Sequence, residues 1–404
     1  MMQPTRLRAG GPDPRPRGGQ KRVPCWFLRG GTSRGPFFRA ADLPSERAAR
    51  DAVLLAVMGS PDPRQIDGLG GANPLTSKVG IVGPSSRADA DLDFRFAQLR
   101  PDSDLVDTTA NCGNMLAAVV PFAVESGLLV PDGDTTTARV LTLNTGLVAE
   151  ITVRTPEGAS GRYVEYGGDT RIDGVPGTAA PVEIDFLDTA GSVCASLLPT
   201  GDVRDRVDVQ GVGTLEVTCI DNGMPLVLVN ASDLGRTGRE SVSALNSDQE
   251  LKDRLEALRL VCGELMGLGD VTEKNYPKMT LMSPPERGGT IGTRSFIPHV
   301  CHESIGVLAA VTVATACVLK GTVAHALTAG ADGADGTDDA DGPDDTDISV
   351  SVEHPAGEFT VELGLDPADR QSVTRSALLR TARLIMAGEV LIPGHVRHFE
   401  EGPQ

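Results

Sequence analysis

The sequence predicts an α+β protein made of two similar halves, each a mixed β-sheet curled around one central helix. The chain has 404 residues, more than a single ordinary core contains. Short β-rich runs alternate with a few helical stretches, and this order repeats after a Gly/Pro-bearing crossing at residues 167–181. Two helices, beginning at Asn114 and Glu303, carry Ala, Val or Leu on nearly every face, which is typical of a helix enclosed by sheet.

The elements follow from apolar periodicity and from the turn residues between them. In the first half we predict strands at 23–28, 78–82, 91–97, 139–143 and 148–153, and helices at 45–58 and 114–129. In the second half we predict strands at 182–187, 215–220 and 226–229, a helix at 248–266, further strands, and a helix at 303–319. The chain is predicted to end with a helix over 374–387 and a strand over 390–393.

This order predicts the following division of the chain. We expect a disordered leader at 1–22, an N-terminal domain at 23–181, a C-terminal domain at 182–373, a helix and strand at 374–393 that return to the first domain, and a tail at 394–404. Residues 331–347 hold eight aspartates and no cation, which predicts an acidic, disordered loop insertion. Their spacing matches neither an EF-hand nor a calcium-binding nonapeptide repeat, so we do not expect a specific calcium site.

Composition excludes several functional classes. The net charge is −18, with no basic stripe and only one Trp and three Tyr, so nucleic acid is not an expected partner. No run approaches the eighteen apolar residues of a membrane span, and the N-terminus has no apolar signal region. Seven cysteines without a Cys-x-x-Cys pair argue against a disulfide framework. We therefore expect a cytoplasmic protein, with a homodimer as the default assembly.

The most informative motif is Asn111-Cys112-Gly113-Asn114, a tight turn that runs directly into a predicted apolar helix. Unpaired backbone N–H groups and the helix dipole favour the ionised form of a thiol at such a position. Cys112 is therefore a candidate acid, base or nucleophile. The alternative is a buried, inert cysteine at a helix start.

Lys78 follows a glycine-rich stretch at 66–71 and stands at the start of a predicted strand. The stretch is not a Walker A motif, because the GxxxxG frame is missing and no helix follows the lysine. A lysine in this position is either a surface amine or, if it lies in a cleft, a base. A second glycine-rich turn at 29–35 carries Thr32 and Ser33, which suit carboxylate contacts or belong to an ordinary hairpin.

Residues 299–302 contain two histidines and a cysteine, but a fourth ligand is missing, so we expect no metal. They precede the second apolar helix as Cys112 precedes the first, and two helix starts can converge on one anionic substrate such as a small polycarboxylate. The sequence has no Gly-x-Ser-x-Gly, His-Glu-x-x-His or strand-linked GxGxxG motif. These absences favour a cofactor-independent proton-transfer enzyme.

Several stretches, in order along most of the chain, resemble the PrpF-type isomerases of the diaminopimelate epimerase superfamily. They are residues 28–33 (Leu-Arg-Gly-Gly-Thr-Ser), 65–68 with 75–78 (Gln-Ile-Asp-Gly and Leu-Thr-Ser-Lys), 106–114 (from Val-Asp to Asn-Cys-Gly-Asn), 171–177 (Arg-Ile-Asp-Gly-Val-Pro-Gly), 219–225 (Cys-Ile-Asp-Asn-Gly-Met-Pro) and 294–299 (Arg-Ser-Phe-Ile-Pro-His). The last two look like the branch that acts on 4-oxalomesaconate.

The resemblance implies a diaminopimelate epimerase-like fold with the active site between two pseudo-symmetric domains. It implies that Cys112 and Lys78 transfer protons without a cofactor. The implied substrate-binding residues are Thr32, Ser33, Asn73, Ser77, Asn111, Gly113, Asn114, His302 and Ser304. The epimerases place a cysteine in each half, but near Cys301 their Cys-Gly-(Ser/Thr)-Gly turn is absent, so two-thiol racemisation is not expected.

The implied reaction is keto–enol tautomerisation of 4-oxalomesaconate, a tricarboxylate of gallate or protocatechuate breakdown. Three alternatives stay open at this point. One is allylic or cis–trans isomerisation of 2-methylaconitate, aconitate or methylitaconate by the same residues. The others are a non-catalytic polycarboxylate-binding or scaffold protein and a cysteine hydrolase that pairs Cys112 with His302.

Overall fold

The strands and helices follow the predicted two-part order. The computed structural model describes residues 19–109, 111–187, 189–328, 347–368, 372–394 and 396. Within these residues the strands are β1 (Lys21–Gly30), β2 (Ser33–Arg39), β3 (Lys78–Pro84), β4 (Leu92–Leu99), β5 (Val106–Asp107), β6 (Thr135–Thr142), β7 (Val148–Arg154), β8 (Glu157–Gly158), β9 (Gly161–Arg162), β10 (Pro181–Phe186), β11 (Asp205–Val209), β12 (Gly213–Asp221), β13 (Pro225–Asn230), β14 (Lys278–Ser283), β15 (Ile291–Phe296), β16 (Asp347–His354), β17 (Gly357–Leu365) and β18 (Val373–Ile392). The α-helices are α1 (Arg47–Met58), α2 (Gly113–Leu116), α3 (Val119–Glu125), α4 (Val242–Ser247), α5 (Gln249–Leu265) and α6 (Val307–Val318). None of these helices is long and apolar enough to cross a membrane.

The two halves share one pairing order. In the first, β1, β2, β3, β4, β6, β7 and β10 pair in turn as antiparallel, parallel, antiparallel, parallel, antiparallel and antiparallel neighbours. In the second, β12 to β18 pair in the same sequence of directions. Each half is therefore a mixed set of strands of the same topology, and β18 joins the two sets into one continuous sheet. β3 of the first half corresponds to β14 of the second. The predicted α+β fold class is confirmed.

The helices lie inside these sheets. Nearly every residue of α6 from Ala309 to Cys317 is buried, and α6 contacts β13, β16, β17 and β18. The buried residues of α2, α3 and α6 belong to one hydrophobic cluster with the inward-facing residues of both sheets. Burial of this apolar surface holds the two helix starts in fixed positions.

The long strand β18 corrects the prediction of a helix over 374–387. Its first part pairs with β17 and β10, and its last part pairs with β1 from Lys21↔Ile392 to Gly30↔Ala382. Residues such as Leu378 and Leu379 favour helix intrinsically, but pairing along both edges satisfies the backbone of an extended chain. The predicted separate strand at 390–393 is the end of β18.

Two further predictions need correction. The helix predicted over 114–129 is divided into α2 and α3, because Pro121 has no N–H to bond Ala117 and its ring crowds that carbonyl. The helix predicted from Glu303 begins at Val307, after Gly306 in extended conformation, so His302 and Ser304 lie in the loop before α6.

The ends of the predicted segments also differ. β1 begins at Lys21, inside the predicted leader, and residues 1–18 lie outside the described residues. Asp347 begins β16, whereas residues 329–346, which contain the rest of the acidic insertion, lie outside the described residues. So does the predicted tail, apart from residues 394 and 396.

Candidate active site

Lys78 and Cys112 lie in contact. Lys78 is the first residue of β3, and the Lys78 side chain is buried, with 8% exposed. Its Nζ atom lies 3.5 Å from Sγ of Cys112 and donates a 2.9 Å hydrogen bond to Oε1 of Gln98. The amine also lies 4.9 Å from the centroid of the Phe96 ring. The structure therefore places an amine and a thiol where a proton can pass between them.

Cys112 is half-buried and stands immediately before α2. Its backbone N–H donates a 2.8 Å hydrogen bond to Oδ1 of Asn111, which orients the turn. A Cβ atom at Gly113 would lie 2.5 Å from Cγ2 of Val307, the first residue of α6. The starts of α2 and α6 therefore touch, and only glycine fits between them. This is the convergence of helix starts that the sequence indicated.

The glycine-rich turn between β1 and β2 packs against Asn114 at the start of α2. Nδ2 of Asn114 donates a 2.9 Å hydrogen bond to Oγ1 of Thr32. A Cβ atom at Gly30 would clash with the backbone oxygen of Asn114. Ser33 is buried, and within the described part of the chain its Oγ atom and Oδ1 of Asn114 have no hydrogen-bond partner. Buried polar atoms without a partner are candidates for contact with a ligand.

Asn73 and Ser77 support the loop before Lys78. Oγ of Ser77 donates a 2.8 Å hydrogen bond to Oε1 of Gln65, which also accepts from the N–H of Ala72. Oδ1 of Asn73 accepts from the N–H of Leu75, and the residue is exposed. These contacts hold the loop in shape, and the predicted substrate contacts of Asn73 and Ser77 stay predictions.

The second half contributes a cluster of bases at the start of α6. The N–H of Ser304 donates to Nδ1 of His302, and Oγ of Ser304 lies 3.3 Å from Nε2 of His354. Burial, with Arg287 and Arg380 nearby, lowers the pKa of His354 to about 4, so its imidazole is neutral near pH 7. Partial burial lowers the pKa of His302 as well. Neutral imidazoles can accept or donate a proton in hydrogen bonds to a ligand.

Cys301 does not mirror Cys112. Its side chain is buried, with 2% exposed, and burial raises the pKa of the thiol to about 11 although Arg294 opposes this. Such a thiol stays protonated near pH 7. The second half therefore holds at this place a buried thiol whose ionisation burial disfavours, and the expectation against two-thiol racemisation stays a prediction.

Sequence reasoning missed two residues near the site. Gln98 stands opposite Lys78 in the β3–β4 register and anchors its amine, a relation that pairing the two predicted strands would have suggested. Lys278 is the first residue of β14 as Lys78 is the first residue of β3, a relation visible only when the two halves are aligned.

The histidines and cysteine at residues 299–302 do not form a zinc site. The ring of His299 lies beside the carboxylate of Glu256. In the described segments no three His, Cys, Asp or Glu residues cluster as metal ligands would.

Comparison with known proteins identifies the family. The sequence profile described as PrpF protein matches residues 20–393. The chain belongs to the PrpF family. The match spans both halves, so the whole two-part fold of this PrpF protein, and not one half alone, is shared with its relatives.

Two relatives of this PrpF protein cover almost the whole chain. A Pseudomonas putida protein named 4-oxalomesaconate tautomerase is 53% identical over 93% of this chain and 97% of its own length. A protein of Novosphingobium sp. (strain KA1) named (4E)-oxalomesaconate Delta-isomerase is 51% identical over 92% of this chain and 97% of its own length. The crystal structure of a methylitaconate-delta-isomerase has a TM-score of 0.80, 33% identity, and covers 96% of this chain and 100% of its own.

Proposed function

We propose that this PrpF protein is a cofactor-independent isomerase that interconverts the keto and enol forms of 4-oxalomesaconate in gallate or protocatechuate breakdown. The observation that carries the proposal is the 3.5 Å contact between Nζ of Lys78 and Sγ of Cys112 at the junction of the two helix starts. The names of the Pseudomonas and Novosphingobium relatives support the substrate. Their identity to this chain is high enough to make 4-oxalomesaconate the first compound to test.

The pair can carry out the reaction with Cys112 as the base and Lys78 as the acid. The C–H bond beside the oxo carbon is acidic because its electrons delocalise onto the carbonyl oxygen. In the proposed step, Sγ of Cys112 takes this proton and the C–H electron pair forms a carbon–carbon double bond. The oxo carbon–oxygen double bond opens, and Nζ of Lys78 gives a proton to the resulting oxygen. A proton then passes from the thiol to the amine across their contact, which restores both groups. The hydrogen bond to Gln98 holds the amine in place throughout.

The second candidate function is a double-bond shift in the same substrate. The Novosphingobium relative is named a Delta-isomerase, and the methylitaconate-delta-isomerase has the same fold. Such a reaction starts with the same C–H abstraction but returns the proton to the far carbon of the conjugated enolate. Both candidates therefore require the Cys112 and Lys78 pair, and they differ in where the proton is returned.

The proposal is tested by following the ultraviolet spectrum as 4-oxalomesaconate equilibrates. We expect fast equilibration by the wild type and a fall of about 10²- to 10⁴-fold for Cys112→Ser and for Lys78→Met, since each variant removes one proton-transfer group. Cys194→Ser and Lys320→Met are the matched controls. They remove a half-buried thiol and an exposed amine outside the Cys112 and Lys78 pair, and should equilibrate the substrate as the wild type does. Equilibration by the wild type at the buffer rate would exclude the tautomerase.

Three broader expectations belong to the same proposal. We propose a division into domains at 23–181 and 182–373. The repeated pairing order supports two halves, although it groups β10 (Pro181–Phe186) with the first half and β18 (Val373–Ile392) with the second. We also propose cytoplasmic location and a homodimer. Light scattering of the purified protein gives the mass directly, and a mass near 42 kDa, that of one chain, would exclude the dimer.

A further inference from the structure

Lys278 occupies in the second half the place that Lys78 occupies in the first. β3 is parallel to β2 and antiparallel to β4, and β14 is parallel to β13 and antiparallel to β15. Lys78 is the first residue of β3, and Lys278 is the first residue of β14. The repeat therefore brings one lysine from each half to the corresponding strand end.

The amine of Lys278 lies at the start of α6. A Cβ atom built at Gly306, the residue that caps α6, would be 3.6 Å from Nζ of Lys278. The next residue, Val307, packs against Gly113, which directly follows Cys112. The two lysines thus flank the same junction of helix starts, one from each half. A substrate bound next to Sγ of Cys112 would therefore have the Lys278 amine on the side formed by the second half of the chain.

The Nζ donors of Lys278 are free within the described residues, whereas Nζ of Lys78 has two hydrogen-bond partners. In the described part of the chain no side chain forms an ion pair or hydrogen bond with the Lys278 amine, whereas Gln98 and Cys112 contact the amine of Lys78. Burial lowers the pKa of Lys278, and among the described residues no acid opposes this shift. The α6 start also lacks a side-chain cap. A part-buried cation beside the positive end of a twelve-residue helix is costly unless an anion binds there.

We propose that Lys278, together with the start of α6, binds a carboxylate of the substrate while Cys112 and Lys78 act on its oxo-bearing end. This inference rests on the proposed function, since it assigns one end of a polycarboxylate to the second half. The three carboxylates of 4-oxalomesaconate need several donors, and Lys78 already contacts Cys112. Lys278 is thus a substrate-binding residue rather than a second proton-transfer group.

The test measures binding of tricarballylate, a saturated tricarboxylate without an oxo group, by isothermal titration calorimetry. We expect Lys278→Met to weaken binding about tenfold or more, because a hydrogen-bonded charge pair is lost. Lys278→Arg retains the cation and should stay within about threefold of the wild type. Lys320→Met, which removes an exposed lysine just after the end of α6, is the matched control and should bind as the wild type does. In kinetics, Lys278→Met should raise KM for 4-oxalomesaconate more than it lowers kcat.

Several results would overturn this inference. Unchanged tricarballylate affinity in Lys278→Met would do so, as would equal losses in the Met and Arg variants, which indicate a structural role. Absence of tricarballylate binding by the wild type would also count against it. If Lys278→Met fails to fold, Lys278→Gln gives the same comparison. A wild type that binds tricarballylate through Lys278 but does not convert 4-oxalomesaconate would refute the proposed function alone.

Discussion

Replacement of Gln98 by methionine removes the acceptor that anchors the proposed catalytic amine. Oε1 of Gln98 accepts a 2.9 Å hydrogen bond from Nζ of Lys78, and Nε2 donates to the backbone oxygen atoms of Ser77 and Leu99. The side chain is thus fixed at both ends. Methionine has a similar length but no amide, so among the described residues the Lys78 amine would keep its contacts with Cys112 and the Phe96 ring and lose its amide partner.

The size of the effect follows from the bond that is lost. A hydrogen bond to a charged group contributes about 1.5–3 kcal/mol. If that energy positions the amine in the transition state, kcat should fall by about 10- to 150-fold, because each factor of ten corresponds to about 1.4 kcal/mol. KM should change little, since Gln98 acts through Lys78 and is a positioning residue.

The assay is steady-state conversion of 4-oxalomesaconate by the wild type, Gln98→Met, Lys78→Met and the double variant. Adding Gln98→Met to Lys78→Met should cost almost nothing further, because the anchored group is already gone. Circular dichroism of each variant serves as the folding control. Additive losses in the double variant, or a loss seen only in KM, would refute the positioning role of Gln98.

Three further predictions concern the helix junction, a buried histidine and the thiols. Gly113→Ala should reduce kcat strongly because its Cβ would lie 2.5 Å from Cγ2 of Val307, and Val307→Ala in the same chain should restore part of the activity; no rescue would contradict the proposed contact. Because the pKa of His354 falls from 6.5 in the unfolded chain to about 4 in the fold, the unfolded state binds more protons between these values, and stability should drop by up to about 3 kcal/mol as pH falls from 6.5 to 4. In urea titrations His354→Gln should lack this part of the pH dependence, and an identical dependence would exclude the histidine as its source. Iodoacetamide at pH 8 should modify Cys112 first, as mass spectrometry of peptides would show, because five of the other thiols are buried and burial raises the pKa of Cys194 to about 12; faster modification of Cys194 would contradict this.

The elements that the sequence predicted correctly are those whose signals are local. Strand β3 and helix α5 lie within a few residues of their predicted bounds, because apolar periodicity and flanking turn residues mark them. The joint role of Cys112 and Lys78 was expected from the family resemblance alone, because no local pattern links residues that are 34 positions apart. The fold class followed from the repeat of element types.

The elements that were missed depend on distant partners. Residues 374–387 have the composition of a helix, and only pairing with β1, β10 and β17 makes them a strand. The break between α2 and α3 was in principle visible at Pro121. Lys278 carries no local signal, because the repeat of the two halves is visible in the order of element types and not in their residues. Its position becomes informative only once β14 is seen to correspond to β3.

Proton transfer by Cys112 and Lys78 is tested most directly by deuterium exchange in D₂O, followed by proton NMR of 4-oxalomesaconate. The wild type should exchange the C–H proton beside the oxo carbon rapidly, and Cys112→Ser and Lys78→Met should slow this exchange by about 10²-fold or more. Deuterium confined to that carbon supports the tautomerase, whereas deuterium at the far carbon supports the double-bond shift. Rapid exchange in both variants would contradict proton transfer by the Cys112 and Lys78 pair.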